Sequence, residues 1–197
     1  MRIRLPEGNF DAYIFDCDGT LADTMPLHYK AWCAVLKEHE CDFPEAVFYE
    51  LGGVPTDRIV EILNERHGYS MPVKATAARK DSLFVEMIPQ TLPIEPVVEL
   101  VHLFYGLKPL AVASGGKREI VTKTLSALGI IGKFQVVVTA EDCRRGKPAP
   151  DPFLEAARQL GVAPEKCLVF EDTTAGIAAA TAANMQWVLV KPPGRNQ

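Results

Sequence analysis

The sequence predicts a doubly wound α/β fold, in which helices cover both faces of a parallel sheet, with a small all-helical domain inserted after the first strand. Five apolar runs are too short and too continuous for amphipathic helices, which is typical of strands buried on both faces of a parallel sheet. Helical patterns separate the later runs, and this alternation favours a doubly wound sheet. The five runs are Ala12–Phe15, Leu110–Ala113, Val136–Val138, Cys167–Phe170 and Trp187–Val190.

The helices expected beside these strands carry apolar residues at helical spacing. Two of them are followed by a glycine, Gly129 or Gly161, which is a common helix stop. The last is rich in alanine, so it can pack close to a sheet. The predicted helices are Pro96–Phe104, Arg118–Leu128, Pro152–Leu160 and Ala175–Ala183.

Residues 24–88 interrupt the alternation, because they contain no convincing buried strand. The helical patterns there are Leu27–Glu40, Glu45–Leu51, Asp57–Arg66 and Val73–Met87. We therefore predict an α/β core domain formed by residues 1–23 and 89–197, and a helical cap domain formed by residues 24–88. A cap inserted at this point is expected over the carboxyl ends of the strands, where ligands of open α/β sheets bind.

Composition narrows the class of partner. The chain has 197 residues and a formal net charge of −4, so it offers no broad basic surface for nucleic acid. No apolar run approaches the length that crosses a membrane, and none at the start has the length of a signal peptide. The cysteines are odd in number, five, with no CxxC pair. We expect a reduced, cytoplasmic chain that acts as a monomer on a small molecule.

Polar residues follow the predicted strands where each one ends. Asp16 and Asp18 leave the first strand two residues apart, and Ser114 with Gly115 leaves the second. Glu171-Asp172 ends the fourth strand, and Lys147 lies in the loop after the third. Since the carboxyl ends of parallel strands share one edge, these side chains are expected to lie together.

Four carboxylates at one edge repel each other unless a cation neutralises them. Mg²⁺ is the usual oxygen-liganded cation beside phosphates, and Ser114, Lys147 and the amides near Gly115 are suited to hold phosphate oxygens. A carboxylate facing phosphorus can act as a covalent nucleophile, and one two residues further on can transfer the leaving group's proton. The pattern predicts phosphoryl transfer.

These motifs, Asp16-Cys17-Asp18-Gly19-Thr20, Ser114, Lys147 and Glu171-Asp172, resemble the four motifs of the haloacid-dehalogenase superfamily in order and in position. The segments Lys147–Asp151 and Val169–Ile177 resemble its β-phosphoglucomutase-like group of sugar-phosphate phosphatases and mutases. The resemblance implies a Mg²⁺ cofactor and a small phosphorylated metabolite as the substrate.

The resemblance also implies a role for each matching residue. Asp16 matches the nucleophile that becomes an aspartyl phosphate, and Asp18 matches the general acid and base, with Thr20 positioning it. Ser114, Gly115 and Lys147 match the phosphate-binding groups. The metal ligands implied are Asp16, Asp18 (through its backbone carbonyl), Glu171 and Asp172.

Phosphatase activity is favoured over phosphomutase activity, because a mutase must also bind the distal phosphate of a sugar bisphosphate. β-Phosphoglucomutases carry a cap loop of pattern Gly-Val-Ser-Arg, whereas this chain has Gly53-Val54-Pro55-Thr56, which places a threonine at the arginine position. The loop 51–59 resembles that of phosphatases acting on fructose-1-phosphate and similar sugar or sugar-acid phosphates. A β-phosphoglucomutase-type mutase that uses Arg58 or Lys117 for the distal phosphate is the alternative.

Several further residues are candidates for supporting or substrate contacts. His28 and Lys80 lie in the predicted cap. For His28 the alternative is a partly buried structural histidine, and for Lys80 it is a solvated helix face. Gly53 and Lys117 complete the supporting set. Cys17, between the two aspartates, is expected to fill space in the core. A dehalogenase or a catalytically silent scaffold on this fold is disfavoured by the complete acidic set.

Overall fold

The computed structural model describes residues 3–52 and 54–191, and the chain divides into two compact units. One unit comprises Met1–Asp23 with Thr91–Gln197, and the other comprises Thr24–Gln90. The strands are β1 (Ala12–Phe15), β2 (Ala22–Asp23), β3 (Leu92–Pro93), β4 (Leu110–Ala113), β5 (Val136–Val138), β6 (Cys167–Glu171) and β7 (Gln186–Leu189). The α-helices are α1 (Met25–Lys37), α2 (Glu45–Glu50), α3 (Thr56–His67), α4 (Val73–Met87), α5 (Glu95–Phe104), α6 (Arg118–Ala127), α7 (Asp151–Leu160) and α8 (Thr174–Ala182).

Five strands of the first unit form a parallel sheet in the order β5-β4-β1-β6-β7. Phe15 on β1 pairs with Val112 on β4 and with Phe170 on β6, so these three strands end level with one another. The chain builds the sheet outward from β1 to β5 on one side, then returns to add β6 and β7 on the other. The β1–β6 boundary is therefore the topological switch point, where open α/β sheets bind ligands.

The two faces of the sheet bury different side chains, because successive residues of a strand point to opposite faces. Tyr13 and Phe15 face a core that includes apolar residues of α5 and α6. Ala12 and Ile14 face a core that includes apolar residues of α7 and α8. Helices thus cover both faces, which confirms the predicted doubly wound α/β class. Cys17 is fully buried in the first of these cores, as expected of a small apolar filler.

The edge strand β7 departs from the prediction that every strand is buried on both faces. Trp187 and Leu189 on β7 are 41% and 39% exposed. β7 pairs only with β6 in the described sheet, and its place at the edge follows from strand order, which an apolar run does not encode. The two-residue strands β2 and β3 pair antiparallel and were too short to produce a sequence pattern.

The second unit is built from α1, α2, α3 and α4 around its own apolar core. Trp32, Phe48 and Leu63 are among its buried side chains, and Trp32 packs edge-on against Phe43. The described residues between 24 and 90 contain no β-strand. No α-helix in the described part of the chain is both long and apolar enough to cross a membrane.

Candidate active site

Three strand ends bring the predicted catalytic residues of the first unit together. Asp16 directly follows β1, Ser114 directly follows β4, and Glu171 is the last residue of β6. The ladder continues past the end of β1, because the Asp16 amide donates to the Phe170 carbonyl at 3.0 Å. The Asp16 and Ser114 side chains are buried although both are polar, so their positions depend on polar partners.

Lys147 joins two of the carboxylates. Its Nζ lies 2.6 Å from Asp16 Oδ1 and 2.8 Å from Glu171 Oε1, and its side chain is only 9% exposed. Burial alone would lower the pKa of Lys147, but the charges of Asp16 and Glu171 outweigh burial and raise that pKa above its usual value. The lysine therefore remains an ammonium group throughout the physiological pH range. Its positive charge lies beside Asp16, which is the position that the predicted phosphate-binding role requires.

The carboxylates form a cluster that suits a hard divalent cation. Asp16, Glu171 and Asp172 each offer a carboxylate oxygen, and these oxygens lie within 4.8 Å of one another. Burial raises the pKa of Asp16 well above its ordinary range, and repulsion from Glu171 and Asp172 adds to this, while Lys147 lowers it. One ammonium group leaves an excess of negative charge among three carboxylates. Clustered carboxylate oxygens are the donors that Mg²⁺ prefers, so the site fits that ion.

The turn after β1 is shaped by Asp172. The amides of Leu21 and Ala22 both donate to the Cys17 carbonyl at 3.0 Å, which closes the turn. Gly19 lies inside it at φ +86°, and a Cβ there would overlap the Asp172 carboxylate. Glycine is thus required by both its conformation and the space available, a role that the motif alone does not explain.

Thr20 contacts a carboxylate that follows β6. Its buried hydroxyl donates to Asp172 Oδ1 at 3.4 Å. The hydroxyl therefore supports Asp172, and its role beside Asp18 stays a prediction. Strand order brings Asp172 to this turn, so the sequence spacing could not have revealed the contact.

The side chains of Ser114 and Asp18 both lie close to Gly116, in the loop after β4. The Gly116 amide donates to Ser114 Oγ at 3.0 Å. A Cβ built on Gly116 would lie 3.3 Å from Ser114 Oγ and 3.7 Å from Asp18 Oδ2, so the glycine keeps the space between these groups open. Gly115 is exposed here, and Lys117 is an exposed residue that immediately precedes α6.

Two residues near the start of α8 hold Glu171, and the sequence analysis did not identify either. Thr173 donates to Glu171 Oε2 through its amide at 2.5 Å and its hydroxyl at 2.9 Å. A Cβ on Gly176 would overlap the Glu171 carboxyl group. Both residues lie in the Val169–Ile177 segment that carries the family resemblance, but its Thr-Thr-Ala-Gly sequence is by itself typical of an ordinary helix start.

In the second unit, His28 and Lys80 lie together. Lys80 Nζ is 2.8 Å from His28 Nδ1, and the His28 ring stacks on Phe84 with centroids 3.7 Å apart. Lys80 is only 4% exposed, so the solvated helix face considered for it is wrong. Gly53 lies outside the described residues. Arg58 on α3 is engaged by Glu61 and Glu65 at the surface of this unit.

Comparison with known proteins supplies the remaining context. Residues 13–190 match the family model for haloacid dehalogenase-like hydrolases. The chain is 38% identical to the fructose-1-phosphate phosphatase YqaB of Escherichia coli, over 90% of this chain and 95% of that protein. It is 30% identical to the β-phosphoglucomutase of Bacillus subtilis, over 88% of this chain and 80% of that protein.

A solved structure of β-phosphoglucomutase from Clostridium difficile aligns with a TM-score of 0.78 at 31% identity. The alignment covers 90% of this chain and 83% of that one. The family-model match, residues 13–190, extends through both units of the chain, so it includes the acidic cluster and the helical insert.

Proposed function

Because this chain belongs to the haloacid dehalogenase-like hydrolases and is a phosphoric monoester hydrolase, we propose that it is a Mg²⁺-dependent phosphatase of a small phosphorylated sugar or sugar acid. The observation that carries the proposal is the buried Asp16–Lys147–Glu171 arrangement at the switch point of the sheet. A carboxylate there has an ammonium group 2.6 Å away to receive the negative charge of a phosphoryl group.

In the proposed reaction, an Asp16 carboxylate oxygen attacks phosphorus and the ester P–O bond breaks. Asp18 gives its proton to the departing sugar oxygen, which leaves as the alcohol. Asp18 then takes a proton from water, the water oxygen attacks the phosphorus of the aspartyl phosphate, and inorganic phosphate leaves with Asp16 restored. Ser114 and Lys147 hold the phosphoryl oxygens throughout.

Asp16, Asp172, Glu171 and the backbone carbonyl of Asp18 are the groups that we propose for Mg²⁺. When bound, the ion supplies positive charge to the phosphoryl oxygens and offsets the repulsion within the acidic cluster. The excess of carboxylates over lysine supports this assignment. We further propose that residues 24–90, with His28, Gly53 and Lys80, act as the cap that selects the substrate, and that Lys117 supports phosphate binding.

Phosphatase activity rather than phosphomutase activity is supported by Thr56, which occupies the position where β-phosphoglucomutases carry an arginine. Its hydroxyl lies 3.4 Å from Asp81 Oδ1, and a threonine supplies no charge for a second phosphate. Loss of one charge-assisted contact costs about 1.5–3 kcal/mol, which weakens bisphosphate binding roughly tenfold or more. Similarity to a fructose-1-phosphate phosphatase points the same way.

The test is phosphate release from a panel of sugar phosphates, measured with Mg²⁺ and with EDTA beside a coupled mutase assay. We expect Mg²⁺-dependent release from a few substrates, with fructose-1-phosphate among those tried first. Interconversion of β-glucose-1-phosphate and glucose-6-phosphate with little phosphate release would establish the mutase alternative. Unchanged release in EDTA would contradict the metal assignment.

A further inference from the structure

Both oxygens of the Glu171 carboxylate accept hydrogen bonds. Its side chain is 1% exposed, Oε1 accepts from Lys147 Nζ, and Oε2 accepts from the amide and hydroxyl of Thr173. A glutamate side chain has several rotatable bonds, so its carboxylate has no fixed direction without such partners. The two donors of Thr173 fix Oε2, and this turns Oε1 toward the lysine.

Thr173 is itself fixed by the helix that it begins. It is the N-cap residue of α8, and its Oγ1 accepts a hydrogen bond from the Gly176 amide at 3.0 Å. The hydroxyl therefore accepts from the helix and donates its one proton to Glu171, which defines its orientation completely. Gly176 leaves the space that the Glu171 carboxyl group occupies. The start of α8 thus sets the position of a buried carboxylate.

We propose that Thr173 is a positioning residue for the phosphoryl-transfer reaction, acting through Glu171 to hold the Lys147 ammonium against Asp16. The inference rests on the proposed function, since it assigns Lys147 to the phosphoryl group. Thr173 is not placed to contact the reacting atoms themselves, which are the Asp16 carboxylate oxygen and the phosphorus of the substrate. It fixes Glu171, Glu171 fixes Lys147 at 2.8 Å, and Lys147 stands 2.6 Å from the nucleophile.

Three substitutions at Thr173 separate positioning from helix capping. Thr173→Val removes both the cap and the hydroxyl donor, and leaves the backbone amide in place. Thr173→Gly also removes the hydroxyl donor but retains most of the capping stability, because glycine is a good N-cap residue. Thr173→Ser retains both. Thr181→Val is the control on the same helix, since the Thr181 hydroxyl contacts Ile177 and Trp187 instead.

The readout is the first half-reaction at saturating Mg²⁺, followed as release of p-nitrophenol from p-nitrophenyl phosphate, with the melting temperature of each variant. We expect kcat/KM to fall about 10- to 100-fold for both Thr173→Val and Thr173→Gly, as is common when a group that orients a site residue is removed. Thr173→Ser and Thr181→Val should stay close to the wild type. Only Thr173→Val should lose much thermal stability.

Wild-type kcat/KM in Thr173→Gly would overturn the proposal, because Thr173 would then serve only as the cap of α8. A loss that higher Mg²⁺ concentrations abolish would also overturn it, since Thr173 would then act on metal binding. Failure of the proposed function gives a different result. A mutase performs the same first half-reaction, so the variants would keep the same order of kcat/KM with p-nitrophenyl phosphate. The wild type, however, would fail to release phosphate from the sugar-phosphate panel.

Discussion

Replacing Lys147 with methionine should destabilise the fold, and the structure sets the scale of the loss. The lysine lies between Asp16 and Glu171, whose side chains are 8% and 1% exposed. Removing one partner of a buried ion pair leaves uncompensated charge and costs about 3–5 kcal/mol. For a chain of this length each kcal/mol lowers Tm by about 2–4 °C, so Lys147→Met should melt roughly 6–20 °C below the wild type in EDTA.

The pH dependence of this loss follows from Asp16. Burial raises its pKa in the folded protein, and loss of Lys147 removes the charge that lowers it. A carboxyl group with a raised folded pKa binds more protons folded than unfolded, so its penalty falls as pH falls. The stability of Lys147→Met should therefore approach that of the wild type as the pH is lowered and Asp16 protonates.

Chemical denaturation in EDTA at several pH values measures both effects. Lys123→Met is the matched control, because Lys123 pairs with Glu119 on the surface of α6 and its side chain is 46% exposed. Such a pair contributes only about 0.3–0.5 kcal/mol. If Lys147→Met were as stable as Lys123→Met at pH 8, the carboxylates would not depend on the lysine and the electrostatic account of the site would be refuted.

Three further substitutions test other features of the first unit. Asp16→Asn should abolish phosphate release while leaving a folded protein, as judged by Tm and circular dichroism. Gly176→Ala should lower kcat/KM because a methyl group displaces the Glu171 carboxylate, even though alanine is favoured over glycine in a helix by about 1 kcal/mol. Thr124→Val should raise the free energy of unfolding by about 1–3 kcal/mol with kcat unchanged, because the fully buried Thr124 hydroxyl has no hydrogen-bond partner within the described residues.

Each of these has a matched control in the chain. Asp11→Asn changes an exposed aspartate and should retain activity, so loss there would implicate folding. Gly132→Ala meets no atom within 4 Å and should retain kcat/KM. Thr76→Val removes a buried hydroxyl that does bond to His39, so it should destabilise. Full activity in Asp16→Asn, wild-type kcat/KM in Gly176→Ala, or a lower stability of Thr124→Val would each contradict its prediction.

The fold class could be predicted because its signals are local. A short apolar run such as Ala12–Phe15 or Leu110–Ala113 indicates a buried strand from its own length and residues, and the structure places both with the predicted bounds. The helix Val73–Met87 was likewise predicted with the bounds observed. The edge position of β7 could not be predicted, because strand order depends on which strands pair across long stretches of chain.

The candidate site likewise has features that the sequence predicts and features that it does not. The sequence by itself determined the types of its groups, because Asp16, Asp18, Ser114, Lys147, Glu171 and Asp172 each follow or end a strand or lie in a loop that follows one. Only the tertiary structure decided which groups meet: Lys147 between Asp16 and Glu171, Thr20 against Asp172, and Gly176 beneath Glu171. These contacts join residues from different strands and helices. Their distances are set by the packing of those elements, which no spacing within a single segment records.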